Sequence, residues 1–127
     1  QTAGVFTLPL QPGPNVIAIK GIDAGGVAGL LAELNWDGNF AVTDTSWKVS
    51  SVLVPGWEAV GFDDSTWNAA TSYGVYGVSP WLNRVLGFSN SSSAEWIWTT
   101  DNLNDDSVYF RFSFIIPAER IRIKGES

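Results

Sequence analysis

Apolar and polar positions alternate with a period of two along most of this chain, and helical spacing of apolar residues is nearly absent. The clearest run is Ser107–Ile116: Val108, Phe110, Phe112, Phe114 and Ile116 alternate with Tyr109, Arg111 and Ser113, as in a strand with one face buried. Residues 94–100 repeat the pattern, with Trp96 and Trp98 on one face and Glu95, Ile97 and Thr99 on the other. The Asx-rich stretch 101–106 between them predicts a turn, so the two strands form a hairpin or face each other across a sandwich. Upstream, residues 5–8, 16–22 and 29–36 read as strands, the last with Leu30, Ala32, Leu34 and Trp36 inward and Glu33 and Asn35 outward. Gln11-Pro12-Gly13-Pro14-Asn15 and Asp23-Ala24-Gly25-Gly26 supply the turns between them. Asp37-Gly38 is the strongest tight-turn signal and predicts that 29–36 folds back onto 40–43, after which 47–54 adds another strand.

The middle of the chain differs. Asp63, Asp64 and Ser65 stand as capping residues before Trp67-Asn68-Ala69-Ala70, a run compatible with one or two helical turns. A long connection over 71–93, rich in glycine and serine, carries Tyr73, Tyr76, Trp81 and Phe88 and is expected to pack across the sandwich. About eight short strands with at most one or two helical turns predict an all-β jelly-roll or Greek-key β-sandwich. The 127 residues fit one domain, 1–127, and 45% apolar content with 13 glycines suits a compact fold of strands and turns.

Composition narrows the chemistry. With no cysteine and no histidine, thiolate nucleophiles, zinc-thiolate sites and Ser-His catalysis are excluded. A formal charge of −6 argues against nucleic acid as a partner. The one basic cluster, Arg111 with Arg120, Arg122 and Lys124, reads as the solvated face of two strands, with Arg111 paired to Glu95 or an aspartate. No apolar run approaches the roughly 20 residues of a membrane span and no leader-like segment is visible, so the expectation is a soluble protein without membrane insertion. Acidic residues are scattered at turns, so no pair of carboxylates stands out as acid and base and the chain reads as non-catalytic. Asn90-Ser91-Ser92 is a glycosylation acceptor in a eukaryotic secreted protein.

Six of the seven tryptophans fall between 47 and 98, in phrases that resemble the galactose-binding-like (discoidin-like) jelly-roll family. These are Asp44-Thr45-Ser46-Trp47-Lys48, Gly56-Trp57, Asp63-Asp64-Ser65-Thr66-Trp67-Asn68-Ala69, Pro80-Trp81, Trp96-Ile97-Trp98 and Tyr109-Phe110-Arg111 leading to Phe114. The likeness spans roughly 42–117. Residues 3–38, with Leu10-Gln11-Pro12-Gly13-Pro14-Asn15-Val16-Ile17-Ala18-Ile19 and Ala28-Gly29-Leu30-Leu31-Ala32-Glu33-Leu34, resemble the same family's closing segment. Residues 1–40 thus look like the family's C-terminal segment and 41–127 like its N-terminal one, a circularly permuted or out-of-register order that lacks one hairpin. The resemblance implies a jelly-roll module outside the cell or on its surface, with carbohydrate or glycoprotein as partner.

Trp47, Trp57, Trp67 and Trp96, at signature and alternation positions, are expected in the core or clamping the Asp-Asp-Ser turn. Tyr73, Tyr76, Trp81 and Phe88 lie in the connection, where aromatic faces can stack on a sugar while Asn83 and Arg84 supply hydrogen bonds, so Trp81, Tyr73, Tyr76, Asn83 and Arg84 form the candidate ligand set. Asp101, Asn104, Asp105 and Asp106 are the candidate donors for a structural calcium ion, although their loop lacks the distal Glu and central Gly of an EF-hand. For Asp63 and Asp64 a cap and turn role suffices. The alternative function is structural: a self-associating or repeating unit of an extracellular filament, pairing with copies of itself through strands at Val5, Phe6 and Leu8 and at Ile121 and Ile123.

Overall fold

The computed structural model of the protein describes residues 9–23, 26–80, 88, 89 and 91–117. The described residues form eight strands and no helix: β1 (Gly13–Ile22), β2 (Glu33–Trp36), β3 (Asn39–Val42), β4 (Lys48–Ser50), β5 (Asn68–Ala69), β6 (Thr71–Val75), β7 (Glu95–Trp98) and β8 (Ser107–Ile116). They build a small all-β sandwich. Its first layer is antiparallel in the order β1-β8-β4-β5. The second contains the β2–β3 hairpin and the β6–β7 pair, joined where Leu30 and Ile97 exchange backbone hydrogen bonds of 2.9 and 3.0 Å.

Alternation along β8 decides where the core sits. Register pairs Ile17 with Phe112, Ile19 with Phe110 and Gly21 with Val108, so one face of the first layer is apolar throughout. Tryptophans meet it from the other side: Trp98 lies 5.4 Å from Phe110, Trp47 stacks on Phe112 at 5.1 Å and Trp36 meets Phe114 at 4.6 Å between ring centroids. Gly21 is required here, because a Cβ at that position would stand 2.8 Å from the buried Trp98 ring and 3.1 Å from Phe110. β7 and β8 therefore face each other across the sandwich instead of forming a hairpin. Trp96, Ile97 and Trp98 are all buried, so β7 does not expose the alternate face that its pattern predicts.

One polar residue links the halves of the second layer. Thr43, fully buried, accepts the Ala32 amide on its hydroxyl at 3.1 Å and donates to the Glu95 carbonyl at 2.7 Å, while its backbone carbonyl takes the Glu95 amide. Every polar group of that residue finds a partner, as burial demands. The Asp37-Gly38 turn closes the adjacent hairpin as expected, with φ of 47° and 78° at its two central residues.

Several sequence expectations shift. The strand expected over 47–54 is regular only at Lys48–Ser50, because the Ser50 hydroxyl accepts the Val52 amide at 3.0 Å and bends the chain. The strand expected over 29–36 is regular only at Glu33–Trp36. No helix forms over 63–70: Asp63 closes an Asx turn by accepting the Ser65 amide at 3.0 Å, and Asn68–Ala69 pair with β4 instead. The first five residues of the supposed irregular connection are strand β6. In each case a partner distant in sequence, or a side-chain-to-backbone bond, outweighs local propensity.

The largest correction concerns Arg111. Its alternation predicts a solvated face, yet it is 2% exposed. Segment 54–67 folds over that side of the first layer: Trp57 meets Tyr109 edge-on at 5.1 Å and stacks on Trp67 at 6.4 Å, and Phe62 meets Trp67 at 5.6 Å. This cover is made of turns, so its carbonyls have no ladder to satisfy them. The guanidinium takes that place. Nη1 donates to the carbonyls of Trp57 and Ala59, Nη2 to that of Phe62 at 3.4 Å, and Nε to the Asp64 carboxylate at 2.9 Å, with the charge 5.1 Å from the Phe62 ring. The partner is thus Asp64, and Glu95 plays no part in the pair.

Arg111→Lys retains the charge but loses the planar fork that reaches four acceptors at once. It is expected to lower stability by about 3 kcal/mol or more, the scale for breaking a buried pair, read as a lower midpoint in urea unfolding.

Candidate functional site

Two loops meet at one end of the sandwich. The first, 99–106, joins β7 to β8 and is held by its own Asx chemistry. The Asp101 carboxylate accepts the amides of Leu103 and Asn104 and the Asn104 side-chain amide at 3.1 Å. Thr99 donates to the Asp105 carboxylate at 2.6 Å, and the Trp98 indole donates to the Asp105 carbonyl at 2.9 Å. The second loop follows β1. It is tied to the first where Asp23 donates its amide to the Asp106 carbonyl at 2.8 Å and Ala28 donates to the Asn102 carbonyl at 2.9 Å, with the Asn102 side-chain amide returning to the Ala28 carbonyl.

Between the second loop and β7 lies a cleft of about 180 Å³, lined by Ile22, Asp23, Val27, Ala28, Gly29, Trp96 and Trp98. Ile22, Val27 and Leu103 stay exposed around this end, at 70%, 42% and 62%. The cleft is smaller than the roughly 300 Å³ at which pockets for drug-sized ligands begin, so it suits one ring or one chain end. Its surroundings are acidic. Asp23 lines it, and Asp101, Asp105 and Asp106 occupy the loop bonded to its wall. Hydrogen bonding by Asn104, first through the side chain and then the backbone, holds the Asp101 carboxyl below the usual carboxylate range.

Of the candidate ligand set, Tyr73 is on β6 and half-buried, its hydroxyl donating to the Thr99 carbonyl, so it braces the 99–106 loop. Burial pushes that hydroxyl above its ordinary value, and the charges of Asp101 and Asp105 push it the same way. Tyr76 is buried at 5% exposure, with its ring 5.5 Å from Phe88 and its amide bonded to the Ala94 carbonyl. Neither tyrosine presents the free aromatic face that stacking on a sugar requires. Trp81, Asn83 and Arg84, the Asn90 acceptor, and the terminal positions Val5, Phe6, Leu8, Ile121 and Ile123 all lie outside the described residues.

The candidate calcium donors Asp101, Asn104, Asp105 and Asp106 fall at this same end, with Asp101 and Asp105 engaged in bonds within the loop. Among the described residues no three His, Cys, Asp or Glu side chains come together as a metal requires. Ligand and metal candidates nominated apart are thus neighbours through Tyr73, Thr99 and Asp105. Sequence reading missed the cleft itself. Only its turn signal at Asp23 was visible, since the Ala28–Asn102 contact spans 74 positions. No protein-family model, curated protein or solved structure matches the chain.

Asn104→Ala removes the main group that depresses the Asp101 carboxyl, so its titration midpoint is expected to rise toward the ordinary value in a carboxyl-carbon NMR titration. The sign follows from linkage: a depressed carboxylate stabilises the fold above its unfolded value and loses that contribution as pH falls through the folded one. The variant loop should accordingly lose order at a higher pH than the wild type.

Proposed function

We propose that the chain is a non-catalytic β-sandwich module that binds carbohydrate, working outside the cell or on its surface. The observation that carries this reading is the cleft, where the exposed Ile22 and Val27 stand beside Asp23 over the buried rings of Trp96 and Trp98. A sugar ring has both an apolar face and hydroxyl donors, and pockets of mixed character recognise such ligands. The resemblance of 42–117 to galactose-binding-like jelly rolls points the same way, as do loops gathered at one end of a rigid sandwich.

A second reading has one observation in its favour. Among the described residues the ten-residue β1 is laddered to β8 on one side only, which makes it the edge of the first layer. A long edge strand is a template for pairing, so the alternative is a self-associating structural subunit of an extracellular scaffold.

Calorimetric titration against a glycan panel is expected to show saturable binding that weakens at least about tenfold in Val27→Arg, which plugs the cleft, with the urea midpoint unchanged. Absence of binding to any glycan would overturn the proposal. Loss in Trp81→Ala with Val27→Arg binding normally would move the contact from the cleft to the 71–93 connection. For the structural reading, light scattering is expected to show a mass that grows with concentration; a monomer of 13.7 kDa at all concentrations would exclude it.

A further inference from the structure

β8 carries the chain away from the cleft. Register sets Ile22 opposite Ser107 at the cleft end and Gly13 opposite Ile116 at the other, so Ser107–Ile116 spans about 30 Å at the antiparallel rise. Beyond it, Arg120-Ile121-Arg122-Ile123-Lys124 alternates cations with isoleucines. Ile123, the farther isoleucine, follows Ile116 by seven residues, which reach at most about 25 Å when fully extended. A molecule therefore cannot place either isoleucine in its own cleft. The same segment of a second copy can.

The two surfaces complement each other. Ile22, Val27 and Leu103 are exposed at the cleft end, and Asp23, Asp101, Asp105 and Asp106 stand on the two loops that meet there. Three of the chain's seven Lys and Arg residues fall in 120–124, where no acidic residue stands. Of the formal charge of −6, that segment accounts for +3 and everything else, with the other four Lys and Arg residues counted, for −9.

We infer that the cleft is the docking site for segment 120–124 of a second copy of this chain. The cleft of about 180 Å³ takes one isoleucine side chain against Val27 and Ala28, and the cations that flank it lie over the acidic loop 99–106. The segment is attached at the opposite end of the first layer from the cleft, so the contact is heterologous and copies add head to tail. This deepens the self-associating reading above and needs nothing from the carbohydrate one.

The test is complementation between two variants of the full chain. Val27→Arg fills the cleft and keeps the segment, whereas Ile121→Asp with Ile123→Asp spoils the segment and keeps the cleft. Light scattering is expected to show a mass that rises with concentration in the wild type, and a rise displaced at least about tenfold to higher concentration in either variant alone. A mixture of the two should form a species of twice the 13.7 kDa of one chain, because one intact cleft and one intact segment remain between them. That pairing should weaken at least about tenfold between about 0.01 M and about 1 M salt, with both urea midpoints at the wild-type value. Wild-type assembly that persists unchanged in either variant, a mixture that stays monomeric, pairing indifferent to salt, or a urea midpoint lowered in the segment variant would overturn the inference while leaving self-association through β1 intact. A wild type that is monomeric at every concentration would instead overturn the self-associating reading itself.

Discussion

The sandwich depends on a buried cation. Arg111 stands on β8, which pairs with β1 on one side and β4 on the other, and its guanidinium gathers three turn carbonyls and a carboxylate from segment 54–67. An unpaired guanidinium could not stay in such a place, and neither could a stack of unsatisfied carbonyls. Each therefore makes the other's burial tolerable. The consequence is a sandwich thickened on one side, where Trp57, Trp67, Phe62 and Tyr109 pack around the charge outside the main core.

That arrangement leaves the opposite side of β8 free to face the second layer, and there the aromatic residues set the spacing. Trp47, Trp98 and Trp36 each rest on a different phenylalanine of β8, while Gly21 leaves room for the Trp98 ring. Trp98 also fixes the end that carries the cleft, because its indole donates to the adjoining loop. Core and site are thus linked through one side chain. The loops at that end are anchored to β6 by Tyr73 and to one another by backbone bonds, and 99–106 adds its own Asx bonds.

Much of the fold was legible from local signals. Period two along 107–116 gave β8 to the residue, and Asp37-Gly38 gave the β2–β3 turn, because a two-residue turn with positive φ is set by its own chemistry. The burial of Trp47, Trp57 and Trp96 was expected from their signature and alternation positions and their size. What failed has a common cause. The 63–70 run has capping residues and no β pattern, yet Asn68–Ala69 join β4, since Asp64 is engaged by an arginine 47 positions away and the chain is directed back to the sheet. Tyr73 and Tyr76 fall in a connection whose glycine and serine content gives no strand pattern, and pairing with β7 and packing on Phe88 are what draw them in. The site shows the same division: its acidic loop was readable from composition, and its cleft was not.

The sequence by itself determined an all-β chain, its strongest strand, its tightest turn and the residues large enough to form a core, all of which rest on steric and hydrophobic preferences within a few positions. Only the tertiary structure decided that Arg111 is buried, that β7 is enclosed on both faces and that Asp23 and Val27 share a cleft with Trp96 and Trp98. Those outcomes depend on hydrogen bonds and packing between residues tens of positions apart. Alternation specifies two faces of a strand, and what comes to cover each face is settled only when the rest of the chain folds against it.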